Sequence, residues 1–304
     1  MGNAMRSKVL SRQNCCAKGV CSPQPELLVS EYVFEPQAVR LQKSGRFDPS
    51  QSKELSVIRE SLVTDHREAS VDLPRLQQVV DSAPVLHLKV LSSNSLSRDS
   101  VISLTALGYP YSPRHASDGH TYFGCVSNNE SQLDFFIPDG HTAGQHFLIY
   151  FDLVKEAYFI SDLGVGFGTF LKIDGPLQLK TNYLILLGAN FALVSFADEC
   201  LELKLFGVEE TKSVYTFEPR PETPITIGRK AKCDVQLNDS LASKVQVTIQ
   251  FSSFEDCVLC DGQPDRPSTN GTWLYLSESH EIRDGMVFKA MHTLFETRLE
   301  PSVT

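Results

Sequence analysis

Between Ile227 and Trp273 the sequence gathers side chains suited to holding a small anion. The run Ile227-Gly228-Arg229 is followed by Asp234-Val235-Gln236-Leu237, then by Ser243-Lys244-Val245-Gln246, then by Ser268-Thr269-Asn270-Gly271-Thr272. Arg229 offers a planar fork of N–H donors, Lys244 a point charge, and Ser243 and Thr269 offer hydroxyls. Gly228, Asn270 and Gly271 are also common turn residues, and lone arginines and lysines are ordinary surface charges. The order and spacing of the cations and hydroxyls between strand-like runs favour a shared site.

These residues resemble the forkhead-associated (FHA) domain, whose pattern is Gly-Arg, Ser-x-x-His and Asn-Gly on loops at one end of a β-sandwich. The resemblance implies recognition of phosphothreonine, a group with nearly two negative charges and three strong acceptor oxygens. Under it, Arg229 is the bidentate donor, Ser243 gives its hydroxyl to another phosphate oxygen, and Lys244 adds charge. Thr269 contacts the phosphate through its hydroxyl or backbone, and Asn270 bonds the peptide main chain. Gly228 and Gly271 allow the turns. The chain departs from the pattern at Gln246, which stands where the family has a supporting histidine. Gln246 is expected to keep one of that side chain's two hydrogen bonds.

The elements that must carry these loops are short. Val85, His87–Val90, Val101–Leu104, Thr121–Phe123, His146–Ile149 and Tyr158–Leu163 are β-type runs between Ser, Asn, Gly and Pro clusters. Further runs follow at Phe191–Phe196, Leu201–Leu205, Ser213–Phe217, Val245–Phe251, Val258–Asp261, Met286–Phe288 and Leu294–Glu296. Upstream, Asp48 and Pro49 read as a helix start, with Leu55, Ile58 and Leu62 at helical spacing to about Asp65. A second short helix is expected from Pro74 to Asp81. Docking of both on their own core is the commoner outcome.

The region before the site also resembles an FHA domain and aligns with it as an internal repeat. Gly124 precedes Gly228, His146 precedes Gln246 and Gly168 precedes Gly271, each by about 100 positions, the size of a whole sandwich. In this earlier copy the arginine position is Cys125, the serine position Ala143 and the asparagine position Phe167. It therefore lacks the fork and the phosphate-facing hydroxyl. Phe167 could form an apolar docking patch or pack inward. The expected fold class is all-β, with two tandem β-sandwich (FHA-like) domains preceded by an N-terminal extension carrying one or two short helices. The expected boundaries are 1–47 for an irregular tail, 48–82 for the helical segment, 83–198 for the degenerate sandwich and 199–304 for the site-bearing one. A connector of about four residues between Phe196 and Leu201 would fix their orientation.

Composition limits the alternatives. The 304 residues hold 28 basic and 37 acidic side chains, for a net charge of −9, which disfavours nucleic acid as a partner. No apolar run approaches the ~20 residues of a membrane-spanning helix. Cys257 and Cys260 have CxxC spacing, yet a strand would point them to opposite faces, and no second ligand pair follows. No metal or cofactor site and no catalytic motif is expected, so the chain reads as a binding protein and not an enzyme. The expected partner is a phosphothreonine-containing protein. The amino terminus carries Gly2 with Lys8 in an imperfect myristoylation pattern, and Cys15, Cys16 and Cys21 among basic residues could be palmitoylated. The expected location is the cytoplasm, with the tail as a candidate peripheral membrane attachment.

Overall fold

A computed structural model describes residues 53–63, 72–114, 117–125, 133–138, 144–207, 212–253, 256–290 and 292–302. Asp48, Pro49, Ala143 and the candidate lipidation residues Gly2, Cys15, Cys16 and Cys21 lie outside them. Two short helices come first, α1 (Lys53–Leu62) and α2 (Leu73–Val79), the second capped by Asp72, which accepts a hydrogen bond from the Arg75 N–H.

Everything described after α2 is strand or loop. The first group is β1 (Val85–Ser92), β2 (Val101–Leu104), β3 (His120–Cys125), β4 (Phe135–Phe136), β5 (Gly144–Asp152) and β6 (Ala157–Asp162). Next come β7 (Thr169–Lys172), β8 (Leu177–Gln178), β9 (Leu184–Leu187), β10 (Asn190–Ala197), β11 (Cys200–Phe206) and β12 (Lys212–Phe217). Then follow β13 (Ile225–Gly228), β14 (Val235–Gln236), β15 (Val247–Phe251) and β16 (Cys257–Asp261). The chain closes with β17 (Thr272–Tyr275), β18 (His280–Glu281), β19 (Val287–Ala290) and β20 (Thr293–Glu300). The all-β class and the two short preceding helices are as the sequence implies.

The strands assemble into one ten-stranded sheet, ordered β12-β11-β10-β9-β17-β7-β19-β20-β1-β2, and two five-stranded sheets, β14-β13-β15-β16-β8 and β18-β6-β5-β3-β4. One core forms where Leu86, Leu88, Leu104, Phe288 and Phe295 meet Phe123, Phe147 and Ile160. A second forms where Ile185, Leu187, Val194 and Leu203 meet Ile225, Ile227, Val247, Ile249 and Leu259. Alternation along the shared strands directs Leu171 and Leu274 toward these cores, while Phe170, Trp273 and Tyr275 face the other side. There they join Leu184, Leu186, Phe191 and Phe206 in a third cluster, into which α1 inserts the fully buried Leu55. Burying one such leucine is worth roughly 1.5–3 kcal/mol, so α1 docks in cis on its own apolar stripe.

The expected boundary at 198/199 is where the structure departs from the sequence reading. Asp198 and Glu199 form a two-residue turn with positive φ angles of 49° and 61°, joining β10 to β11 within one sheet. The supposed interdomain connector is therefore a hairpin. The exchange of partners happens elsewhere. β17 pairs with β9 and β7, β19 pairs with β7, and β20 pairs with β1. Residues 276–300 thus complete the sandwich begun by residues 85–162, and residues 173–206 complete the one containing β13 to β16. The crossing is pseudo-two-fold about the Leu171–Leu274 pair. On one side of it Leu274 pairs with Ile185, on the other Leu171 with Phe288. Likewise, Leu177 with Leu259 mirrors His280 with Ile160. Alternation within a strand cannot reveal which distant strand it joins, so a cut drawn from sequence order missed the exchange.

Two predictions follow from this topology. Residues 199–304 expressed alone lack β9 and β10 and should show no cooperative thermal transition; a dispersed amide spectrum from that fragment would contradict the exchange. The second concerns pH. Burial holds His120 and His280 below their ordinary value of 6.5, against the opposing pull of Asp118 on the first and with the help of Arg283 on the second. The unfolded chain then binds more protons below about pH 6.5, so their contribution is full above that value and is lost as pH falls. Thermal stability should decline between about pH 7 and about pH 5.5, and His280→Gln should flatten that decline.

Candidate functional site

Three loops meet at one end of the second sandwich: β13–β14, β14–β15 and β16–β17. The first is pinned to the second through backbone, with Arg229 N–H donating to the Ser243 carbonyl at 3.0 Å and Lys230 N–H to the Lys244 carbonyl at 3.1 Å. Gly228 permits that approach. A Cβ built there would lie 2.5 Å from the Lys244 carbonyl oxygen and 2.8 Å from the Val245 Cα. Asp234 braces the far end by accepting from Thr226 N–H and Thr226 Oγ1, and it pairs with Arg220.

The second and third loops are joined by side chains. Ser243 Oγ accepts from Thr269 N–H at 2.8 Å and donates to Thr269 Oγ1 at 3.3 Å. Asn270 donates from Nδ2 to the Leu241 carbonyl at 2.8 Å, and its own carbonyl accepts from Trp273 Nε1 at 3.0 Å. Gly271 turns the chain into β17 with a φ of 73°, a conformation costly for residues with a Cβ.

Beneath both loops lies Gln246, fully buried. Its Oε1 accepts from Ser243 N–H at 2.9 Å. Its Nε2 faces three acceptors, Ser268 Oγ at 3.0 Å, the Gly271 carbonyl at 3.0 Å and Thr272 Oγ1 at 3.1 Å. Two of these hydroxyls donate onward to Asp261 Oδ1, each at 2.6 Å, while Asp261 Oδ2 accepts from Ser268 N–H. Gln246 therefore makes more contacts than the single hydrogen bond expected of it. Asp239 ties the same platform to the β9–β10 turn, accepting from Ala189 N–H at 2.7 Å and Asn190 Nδ2 at 3.1 Å.

The loops enclose a cleft of about 310 Å³. Arg229, Ser243, Lys244 and Thr269 line it, whereas Asn270 does not and is instead turned toward Leu241. Gly228, Gln246 and Gly271 sit in the supporting layer. Sequence reasoning missed Lys230, Leu241, Gln263 and Arg266 in the lining. Lys230 and Arg266 had a signal, one beside Arg229 and the other between Pro264 and Pro267. Asp239 had none, because its partners lie some fifty residues earlier. Among the described residues, no carboxylate lines the cleft. Four cations and three hydroxyls, from Ser240, Ser243 and Thr269, with no acid among the described lining residues, form a donor set suited to an oxyanion.

Residues 225–290 match the FHA domain family model. The match runs from β13 to β19, so this FHA stretch is continuous in sequence while its last strands complete the other sandwich. No curated protein matches the chain. In the first sandwich, Cys125 is half-buried at the end of β3 and His146 is fully buried. Phe167 is half-buried, its ring 6.0 Å from that of His292, and its carbonyl accepts from Arg59 Nη1 of α1 at 2.7 Å. Among the described residues no group of three or more His, Cys, Asp or Glu gathers as a metal site. Cys257 points into the core and Cys260 away from it, and burial together with Asp256 pushes the Cys257 thiol up to about 12.

Gln246→Ala should cost about 2 to 4 kcal/mol in urea denaturation, because it opens a cavity and orphans buried donors and acceptors. A loss below about 0.5 kcal/mol would show that the amide network does not hold the loops.

Proposed function

We propose that this protein is a phosphothreonine-peptide-binding adaptor, with Arg229, Ser243, Lys244 and Thr269 gripping the phosphate and Asn270 bonding the peptide main chain. One observation carries this reading: Arg229 is exposed, makes no ion pair with a described residue, and shares with the Ser243 and Thr269 hydroxyls a cleft whose described lining holds no acid. A guanidinium left without a carboxylate in a chain of net charge −9 is available for a ligand. Asn270 must release Leu241 or use its remaining Oδ1 to reach a peptide. We read the protein as a binding module and not an enzyme. Its amino-terminal tail would carry it in the cytoplasm or at a membrane face.

We further infer that the two sandwiches are copies of one ancestral domain that have exchanged their closing strands. Equivalent positions support this: Asp134 accepts from Tyr122 N–H as Asp234 does from Thr226 N–H, and Ile137 bonds Gly124 as Leu237 bonds Gly228. The first copy would have lost phosphate binding and become a brace. A phosphate-independent docking scaffold is the second reading, favoured by Cys125 and Phe167 at the first copy's loop end.

Arg229→Ala should weaken capture of a phosphothreonine peptide at least about tenfold in calorimetric titration, since hydrogen bonds to charged groups are worth roughly 1.5–3 kcal/mol. Thermal stability should barely change, as Arg229 is exposed. Equal affinity of the native chain for phosphorylated and plain peptide would select the scaffold reading.

A further inference from the structure

The charge in the cleft exceeds what one phosphate needs. Phosphothreonine carries about −1.5 to −2 at neutral pH. Arg229 and Lys244 already match that. Lys230 and Arg266 line the same cleft, and no acidic side chain among the described residues lines it to offset them. None of the four cations forms an ion pair among the described residues, although eight pairs between another lysine or arginine and a carboxylate are found there. Asp265 neighbours Arg266 in sequence and still does not pair with it.

Such a concentration runs against the composition of the chain, whose acids outnumber its bases. Four like charges around about 310 Å³ repel one another, and the fold tolerates this without an internal counter-ion. The loop bearing Arg266 is held in shape by Pro264, Pro267 and reciprocal backbone hydrogen bonds between Gln263 and Arg266 at 2.9 Å. Arg266 is therefore presented on a stiff loop, which lowers the ordering cost of a contact. The volume also lies at the lower end of ligand sites, ~300–1,000 Å³, well beyond what a single tetrahedral anion fills.

We propose that the cleft selects phosphothreonine peptides bearing a second anionic group close by, phosphate or carboxylate, which Lys230 and Arg266 receive. The proposal rests on the phosphothreonine reading above and names the ligand class within it.

The test uses the full-length chain and fluorescent peptides holding one phosphothreonine. A second phosphoserine, a glutamate or an alanine is placed in turn at each of about four positions on either side, ~3.4 Å of extended chain apiece. At one or more positions the phosphoserine peptide should bind about tenfold tighter than its alanine counterpart, with glutamate between them. In Lys230→Ala/Arg266→Ala that ratio should fall to about one, whatever the absolute affinities, and in Arg229→Ala all phosphopeptides should weaken together. Equal affinity for all three peptides at every position overturns the proposal and leaves the phosphothreonine reading intact. A preference that persists in the double variant also overturns it. Failure of every phosphopeptide to bind overturns both, as does Lys230- and Arg266-dependent capture of phosphoinositide vesicles without peptide binding.

Discussion

The carboxamide of Gln246 is the contact on which the site geometry depends. It lies where no water reaches it, so each hydrogen bond it makes is held without competition, and each one lost would leave a buried polar group unpaired. Through Oε1 it sets the Ser243 backbone. Through Nε2 it sets the Ser268, Gly271 and Thr272 segment. The cleft-lining hydroxyls of Ser243 and Thr269 are thereby fixed relative to one another by a group that does not itself line the cleft. Asp261 completes the arrangement by accepting hydrogen bonds from the two hydroxyls that themselves accept from the amide.

Support for the site extends across the exchanged strands. Asp239, on the loop carrying Ser243, is bonded to the turn between β9 and β10, and those strands precede the site by tens of residues. The hairpin formed by β10 and β11 then leads to β12 at the edge of the long sheet. Because β7 and β17 sit side by side at the centre of that sheet, each sandwich takes strands from both sides of the 198/199 turn, the first joining β1–β6 to β18–β20 and the second β8–β10 to β11–β16. The ten-stranded sheet is a common wall, and α1 covers its middle with Leu55 and Arg59. A disturbance at Trp273 or Tyr275 would be felt in both cores, since adjacent residues of β17 face opposite sides of the wall.

Much of this was legible beforehand, for identifiable reasons. Short β-type runs marked most of the longer strands, whereas the two-residue strands β8, β14 and β18 and the central β17 carried no such mark, and the second helix, read from Pro74 to Asp81, spans Leu73–Val79. Arg229 and Thr269 were legible because they stand beside turn glycines and Asn270, whose backbone demands are local, and Ser243 and Lys244 because they hold a fixed spacing to Gln246. Gln246 was undervalued: a count of its functional groups could not show that four partners surround it. Lys230 and Arg266 were passed over because exposed cations are common, and only their convergence on one cleft distinguishes them. The boundary at 198/199 failed because Asp198 and Glu199 look the same as a linker or as a hairpin turn.

By itself the sequence determined the strands, their inward faces, the turns and the kinds of side chain presented to solvent, since each follows from neighbours within a few residues. Tertiary structure decided which strands share a sheet, which sandwich each half completes, and which cations end up together without an acid. Those outcomes depend on pairing and packing between residues a hundred positions apart. There the backbone hydrogen bonds are alike for every candidate partner, and the fit of whole cores selects among them.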